Sequence, residues 1–190
     1  MKRIITAVVL YALIALLTGF AYPYGVALCA GLFSPRKANG SLMERGGAVV
    51  GSELIAQDFK GAAYFWPRPS ATGYSAMPSG GSNLSPAGGA FRIQTDLNAG
   101  AFMAAHPGVA KGDIPAEMLC ASASGLDPHI SVEAAVIQSA RVAAARGYDA
   151  RRNEKLVSLV NSMSEPPDWK IFGEPRINVL KLNMALDGIQ

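Results

Sequence analysis

The chain has 190 residues, a net charge of +3 at neutral pH, 50% hydrophobic residues and only 16% charged residues. This length predicts one domain, or one domain with an appendage, and the apolar content excludes a chain that is disordered throughout. The small net charge, with no Lys/Arg stripe, excludes a nucleic-acid-binding protein. The mean hydropathy of +0.21 is high for a soluble domain, so the apolar excess needs a location in the chain.

The N-terminal segment accounts for this excess, because residues 4–35 contain no Asp, Glu, Lys or Arg. As an α-helix, residues 4–22 would be about 28 Å long, close to the thickness of a bilayer core. The sequence therefore predicts a transmembrane helix with Tyr22 and Tyr24 at the interface and Pro23 helping to end it. A cleaved signal peptide is the alternative, although the apolar run is long for that class and no clean cleavage site follows.

Basic residues flank this helix unequally. Lys2 and Arg3 adjoin it, whereas the next basic residues, Arg36 and Lys37, come about fourteen positions after Tyr22. This asymmetry predicts a cytoplasmic N-terminus and an exported remainder. The predicted organisation is a cytoplasmic stub at 1–3, a transmembrane helix at 4–24, a linker at 25–48 and an extracytoplasmic α/β domain at 49–190.

The exported part has a mixed pattern of helices and strands. A short strand is predicted within 49–55, and glycines and prolines predict a loop over 72–89. Apolar spacing and capping residues predict helices at 90–105, 115–119, 132–146 and 152–163. The fold class predicted is therefore a single N-terminal transmembrane α-helix followed by a mixed α/β (α+β) extracytoplasmic domain.

Three local features refine these elements. Ser131 or Asp127 is predicted to cap the helix at 132–146, and Gly147 stands where a helix-ending glycine belongs. Apolar residues alternate with polar ones over 177–186, apart from the adjacent pair Val179 and Leu180. This alternation predicts a late strand with a bulge at that pair.

A glycine-rich loop is the first candidate binding feature. Ser79, Gly80, Gly81, Ser82 and Asn83 are residues of the type that form an anion-holding nest of backbone N–H groups. The loop is not a P-loop, because no Gly-Lys-Ser/Thr follows it. A structural turn is the simpler interpretation of a lone glycine loop.

Further polar residues lie at and after the start of the predicted helix 132–146. Asp127 and His129 supply a carboxylate and an imidazole, but one such pair is too few ligands for a metal site. Gln138 and Arg141 share one helix face with Ala145. They would hold a loop or an anion, or else form a solvated or locally paired face.

The remaining candidate residues indicate neither a catalytic site nor a metal site. Glu174 and Arg176 flank a turn before the last strand and are predicted to form a simple salt bridge. Cys29 and Cys120 lack the CxxC spacing of a metal site and are predicted to be separate thiols, with a disulfide as the alternative in an exported domain. Because no Ser-His-Asp or Cys-His set with a local signature is present, no catalytic residue is predicted.

Taken in chain order, these segments resemble the KdpC family, an accessory component of the Kdp-type high-affinity potassium-transporting P-type ATPase of bacteria. The matching pieces after the apolar helix are GSELIAQ at 51–57, YF at 64–65, RPSA at 68–71, SGGSNL at 79–84, SGLDPHIS at 124–131, Gln138 with RVA at 141–143, GEPRINVL at 173–180 and LNMALD at 182–187. The resemblance covers nearly the whole chain. It departs from the family pattern at 85–89, at Trp66-Pro67 and at Cys120.

The resemblance implies a non-catalytic accessory subunit of an ATP-driven potassium uptake complex in the bacterial inner membrane. Its implied partners are the channel-like potassium-binding subunit, the ATPase subunit and the small single-helix subunit of the Kdp complex, together with the lipid bilayer. Potassium would be the transported ion, and the chain would stabilise assembly and shape the outer potassium entrance. Arg68, Asp127, His129, Glu174 and Arg176 are assigned structural or interface roles.

The resemblance also implies a second role, assistance with ATP binding. Gln138, Arg141 and the loop at 79–83 are the candidate residues for it. A physical objection applies, because a domain outside the membrane does not meet cytoplasmic ATP. A membrane-anchored exported enzyme is a third hypothesis, for which the sequence offers no candidate residues.

Overall fold

The computed structural model describes residues 1–189 and divides the chain into two compact units, Met1–Val50 and the part from Gly51 onwards. The first unit is dominated by a continuous helix, Lys2–Phe33, that is apolar and long enough to cross a membrane and contains no residue classed as buried in the protein. It consists of α1, Lys2–Leu16, a π-helical turn, Leu17–Ala21, and α2, Tyr22–Phe33. The predicted N-terminal apolar helix is confirmed.

The prediction that Pro23 helps to end this helix is wrong, because the helix continues to Phe33. A proline lacks the N–H for an i−4 hydrogen bond, and its ring crowds the preceding turn. The π-helical turn lies directly before Pro23, and there the Tyr22 N–H donates to the Leu17 carbonyl, five residues back. This wider turn repositions the carbonyls ahead of the proline ring and lets the helix proceed.

The predicted linker at 25–48 also contains regular structure. It includes the second half of α2, the short helix α3, Pro35–Ala38, and the strand β1, Leu42–Arg45. Strand β2, Ala48–Ser52, pairs with β1 in a two-stranded sheet. Gly46 and Gly47 join the strands with φ of 59° and 81°, the left-handed values that a tight hairpin turn requires. The strand predicted within 49–55 is confirmed to Ser52.

Between Gly51 and residue 189, the second unit has four α-helices and a small sheet. The helices are α4, Gly89–Ala105, α5, Val132–Ala145, α6, Ala150–Ser162, and α7, Val179–Leu186. The strands β3, His129–Ser131, and β4, Arg176–Asn178, pair antiparallel with Ile130 opposite Ile177. Two short 3₁₀ turns, Lys111–Asp113 and Ala116–Met118, connect α4 to β3, and the second matches the helical turn predicted at 115–119. The predicted fold class is confirmed.

The helix boundaries follow capping residues that the sequence identifies. Ser131 caps α5, because its hydroxyl accepts from the Ala134 N–H at 3.0 Å. Gly147, with φ of 63°, follows the end of the same helix. Helix α6 begins slightly before its predicted start because the Asp149 carboxylate accepts from the Arg152 N–H at 2.8 Å. Each cap satisfies a backbone group that the helix itself leaves unpaired.

The prediction of a strand over 177–186 is wrong beyond Asn178. The Asn178 side chain accepts from the Lys181 N–H at 3.1 Å and starts α7. The adjacent apolar pair Val179 and Leu180, predicted to be a bulge, is the first turn of this helix. Its buried positions are spaced as on one face of a helix, and they are Val179, Leu180, Leu182, Asn183 and Leu186.

One core joins the sheet to the helices of this unit. Ile130 and Ile177 of the paired strands are 1% and 0% exposed, so the strand pair lies at the centre of the core. Apolar residues of the helices and of the loop before α4 complete it, including Phe65, Phe102, Val142, Leu156, Val160, Leu182 and Leu186. Burial of these side chains drives the packing of α5, α6 and α7.

Candidate functional site

Gln138 and Arg141 lie on the buried face of α5, where they are 0% and 7% exposed. The alternative of a solvated helix face is therefore wrong. Buried polar groups need partners, and these two side chains find theirs in the loop before α4. The loop between Gly61 and Trp66, named here the clamped loop, passes directly over this helix face.

The Arg141 guanidinium is the centre of the site. Its Nη1 donates to the Ala62 carbonyl at 2.6 Å and the Tyr64 carbonyl at 2.9 Å. Its carbon lies 4.3 Å from the ring centroid of Trp66, in a cation–π contact. Burial lowers the pKa of Arg141 to about 10, so the side chain stays charged at neutral pH. A single cation thus binds the backbone and one aromatic ring of the clamped loop.

Two amide side chains also bind the clamped loop. Each pairs with both the N–H and the C=O of one loop residue, as a neighbouring β-strand would. Gln138 accepts from the Trp66 N–H at 2.8 Å and donates to its carbonyl at 3.2 Å. Asn183 of α7 accepts from the Phe65 N–H at 2.8 Å and donates to its carbonyl at 2.9 Å. Gln138 also accepts from Arg141 Nη2 at 2.9 Å. Consecutive backbone groups that belong to no sheet are satisfied in this way.

His106, at the end of α4, completes the cluster and is 2% exposed. Its Nε2 accepts from Arg141 Nε at 2.8 Å, so the ring proton resides on Nδ1, which lies 2.8 Å from the Phe102 carbonyl. Burial lowers the pKa of His106 below 6.5, and the Arg141 charge lowers it further against the opposing effect of that carbonyl. The imidazole is neutral chiefly because burial disfavours its charged form, and a second cation there would also face the guanidinium.

The neutral His106 predicts an acid-sensitive domain. Because its folded-state pKa is depressed, the stability it contributes is complete above pH 6.5 and declines as the pH falls from 6.5 to the folded-state value. The free energy of unfolding should decline by up to about 1.4 kcal/mol per pH unit from this one group. The measurement is urea unfolding of the full chain in detergent at pH 7.5, 6.0 and 5.0.

His106→Gln is the matched control, because a glutamine oxygen offers Arg141 an acceptor that does not titrate. The variant should show a shallower pH dependence than the parent between pH 7.5 and 5.0. Parallel pH profiles for the two chains would show that His106 is not the titrating group. Below pH 5 the carboxylates of both chains titrate alike, so the comparison is confined to the higher range.

Arg68, Asp127 and His129 form a second polar cluster. Arg68 Nη1 lies 2.9 Å from Asp127 Oδ2, and the His129 N–H donates to Asp127 Oδ1 at 3.0 Å. Burial raises the pKa of Asp127, but hydrogen bonds from His129 and Arg68 outweigh it and hold the pKa below its usual value. Nearby, the Ser70 hydroxyl donates to the Gly125 carbonyl at 2.7 Å. These contacts join the loop at 68–70 to the loop at 125–129.

The glycine-rich loop at 79–83 packs against the segment at 123–125, which leads into this second cluster. A Cβ on Gly81 would lie 2.9 Å from the Ala123 carbonyl, and one on Gly125 would lie 2.7 Å from the Gly80 carbonyl. Both glycines therefore permit two loops to approach closely, which is what a structural turn requires. Within residues 1–189, no hydrogen bond joins the loop at 79–83 to Gln138 or Arg141. Anion binding by the loop stays a prediction.

The predicted salt bridge between Glu174 and Arg176 is wrong. Arg176 Nη2 instead lies 2.9 Å from Asp168 Oδ1, and its Nε lies 4.0 Å from Glu165 Oε2. Strand β4 pairs with the segment around Glu165 through backbone hydrogen bonds, which directs Arg176 away from the turn that holds Glu174. Closeness in sequence to Glu174 did not identify the partner of Arg176, because Arg176 pairs with Asp168, on the opposite side of the same hairpin.

Two members of the clamped-loop site were not predicted from the sequence. His106 directly follows the helix predicted at 90–105 and has no predicted role, and Asn183 appears only within the matching segment at 182–187. An asparagine among the apolar residues of 179–186 is the pattern that would have indicated a buried, hydrogen-bonded amide.

Cys29 and Cys120 are free thiols. Among the described residues, no group of three or more His, Cys, Asp or Glu side chains is arranged to hold a metal ion.

An aromatic cavity of about 380 Å³ adjoins the clamped loop. Its lining includes Phe59, Trp66, Tyr74, Phe102 and Asp58. Burial, with a smaller effect of the Asp58 charge, raises the pKa of Tyr74 to about 12. The Tyr74 hydroxyl donates to the Arg68 carbonyl at 2.9 Å and so stays protonated.

The fold and the site define a class of protein. It has one apolar N-terminal helix and an α+β domain, and the buried polar side chains of that domain bind its own loops. Residues 4–188 match the family model described as "KdpC: K+-transporting ATPase, c chain". The chain belongs to this family, and the resemblance stated from its motifs is confirmed.

Individual relatives agree along almost the full length. A protein of Rhodospirillum rubrum named "Potassium-transporting ATPase KdpC subunit" is 52% identical over 183 residues, which are 95% of this chain and 93% of the relative. Proteins of the same name from Polaromonas naphthalenivorans and Geobacter sulfurreducens are 47% and 45% identical, covering 100% and 98% of this chain and 97% and 98% of the relatives. The chain is thus one component of a potassium-transporting ATPase.

Proposed function

We propose that the chain is a non-catalytic accessory subunit that stabilises the potassium uptake complex and shapes the outer entrance for potassium. The domain would lie outside the inner membrane, with the N-terminus in the cytoplasm. Its partners would be the potassium-binding subunit, the ATPase subunit and the small single-helix subunit. The arrangement supports a scaffold that presents loops to a neighbour.

The observation that carries the proposal is the clamped loop. Arg141, Gln138 and Asn183 direct their polar atoms to backbone groups of the loop between Gly61 and Trp66. Side chains used in this way hold a surface in one shape, and a preformed surface lowers the entropy cost of binding a partner. Family membership supplies the kind of partner, an ATP-driven potassium transporter.

The orientation rests on charge. Lys2 and Arg3 directly adjoin the most apolar stretch of the helix, residues 4–22, whereas Arg36 and Lys37 come about fourteen positions after that stretch, just beyond the helix end at Phe33. Basic residues directly next to a membrane helix favour the cytoplasmic side. An exported domain would then meet the potassium-binding subunit from outside and would be remote from the ATP pool.

Two variants test the proposal, one altered in the domain and the other in the apolar helix. One variant lacks residues 40–190, and a second keeps them but replaces residues 2–33 with an unrelated single-span helix. The domain deletion should abolish co-purification of the potassium-binding subunit and potassium-stimulated ATP hydrolysis, whereas the helix exchange should retain part of both. Normal assembly and activity without residues 40–190 would refute the role of the domain.

A nucleotide-binding cofactor of the ATPase subunit is the second candidate function. The aromatic cavity beside Trp66 supports it, because aromatic side chains commonly line small-molecule sites and stack on planar ligands. Gln138 and Arg141 would contribute to nucleotide binding only indirectly, by fixing the position of Trp66. The discriminating experiment is photolabelling of the intact complex with an ATP analogue. Labelled peptides from residues 58–74 would favour this candidate, and labelling confined to the ATPase subunit would exclude it.

A further inference from the structure

The hairpin between α6 and β4 displays an unusual group of apolar side chains. Trp169, Ile171 and Phe172 are 85%, 75% and 60% exposed, although residues of these types are ordinarily buried for the most part. Lys170 stands among them. These four residues are named here the aromatic tip. The exposed apolar surface of these residues does not contribute to the core of the domain. Its exposure therefore indicates contact with something outside the domain.

The aromatic tip is held in a defined shape. Asp168 and Phe172 exchange two backbone hydrogen bonds of 2.9 and 3.0 Å, and Glu165 and Arg176 exchange two of 2.8 and 3.0 Å. The Trp169 and Phe172 rings meet edge to face with centroids 6.0 Å apart. The apolar side chains are therefore displayed by a preformed hairpin, and binding needs no prior folding of the segment.

The backbone at the tip is unfavourable for the residues it carries. Trp169 and Lys170 have φ of 52° and 63°, in the left-handed region where a Cβ crowds the following carbonyl oxygen. Glycine would relieve this crowding. Non-glycine residues held in this region cluster at functional sites such as ligand clamps.

We propose that the aromatic tip inserts into the headgroup region of a lipid bilayer. The same chain carries the apolar helix Lys2–Phe33, which is able to cross a membrane, so the domain is tethered covalently to a bilayer. Tryptophan prefers the membrane interface, because its ring is apolar and its N–H needs a polar partner. A lysine beside it extends its charge to the headgroup phosphates while its stem stays among apolar groups.

Charge and size both favour lipid over a protein partner. Arg176 neutralises Asp168 at 2.9 Å, which leaves Lys170 as the charge among the aromatic side chains, with Glu174 beyond them in the chain. The tip offers three apolar side chains on a narrow hairpin. A specific protein interface uses roughly 20–30 residues on each side, whereas an interfacial membrane contact needs only a few aromatic residues.

Quenching by brominated lipid tests the proposal on the full chain in nanodiscs without partner subunits. The chain has two tryptophans, so Trp66→Phe leaves Trp169 as the only tryptophan and Trp169→Phe leaves Trp66. Excitation at a wavelength that tyrosine does not absorb isolates the tryptophan emission. Dibrominated phosphatidylcholine should quench the Trp169 protein about twofold and the matched Trp66 protein hardly at all. If Trp66→Phe fails to fold, the difference in emission between the wild-type chain and Trp169→Phe supplies the same comparison.

The remaining outcomes would overturn the proposal. Equal quenching of both tryptophans would show a general approach of lipid and no insertion of the tip. If Trp169 is not quenched, it lies outside the bilayer. If it is also shielded from iodide in the assembled complex, the tip binds a protein partner instead of lipid. The test needs no potassium transport, so its result is independent of the proposed accessory function.

Discussion

Replacing Arg141 by methionine should lower the free energy of unfolding by about 3–5 kcal/mol. Methionine approximates the length of the side chain but removes every donor. The carbonyls of Ala62 and Tyr64, the Gln138 oxygen and the His106 nitrogen would then lack the partner they have at 2.6–2.9 Å. Each unsatisfied buried acceptor retains its desolvation cost without the bond that compensates for it.

Chemical unfolding of the full chain in detergent, followed by tryptophan fluorescence, measures the effect. Arg152→Met is the matched control, because Arg152 is exposed on α6 and the same change there should alter stability by no more than about 0.5 kcal/mol. If the two variants were equally stable, the cluster around Arg141 would have no structural role. Loss of the clamped loop should also shift the emission of Trp66 to the red.

Asn183→Leu should lower the free energy of unfolding by about 2–4 kcal/mol, although leucine has the same branching and the same number of side-chain heavy atoms and is more apolar. The native amide accepts from the Phe65 N–H at 2.8 Å and donates to its carbonyl at 2.9 Å. Phe65 is 0% exposed, so water cannot replace either bond without opening the core. Added hydrophobic burial cannot offset two orphaned backbone groups.

The same unfolding experiment tests this variant, with Asn161→Leu at an exposed position of α6 as the control. Asn161→Leu should leave stability nearly unchanged. An Asn183→Leu chain as stable as the parent would show that the amide is dispensable. Because Asn183 and Arg141 hold the same loop, their effects should not be additive in the double variant.

Much of the fold was predictable because its determinants are local. The uncharged run from Ile4, the Ser131 cap and the Gly147 helix end each depend on residues within a few positions. The prediction of a strand over 177–186 was wrong beyond Asn178 because it relied on the local alternation of apolar and polar residues alone. Alternating apolar residues fit a strand, but the Asn178 cap and the buried face of Val179, Leu182 and Leu186 select a helix once the core is present.

The candidate site was predictable only in part. The spacing of Gln138 and Arg141 placed both on one face of a helix, but it did not show that this face is buried. Their partner Trp66 lies 72 residues from Gln138, and Phe65 lies 118 residues from Asn183. No local pattern specifies which carbonyl a buried guanidinium will meet, because long-range contacts depend on how the whole chain packs.

The sequence alone determines the apolar N-terminal helix, the small net charge and the family motifs, because hydropathy, charge and motif order depend only on which residues follow one another. Tertiary structure decided that Arg141, Gln138, His106 and Asn183 converge on one loop. It also decided that Arg176 pairs with Asp168 and that Trp169 faces solvent. The physical reason is desolvation, since whether a polar or aromatic side chain is buried and which group compensates it are settled only when distant segments pack together.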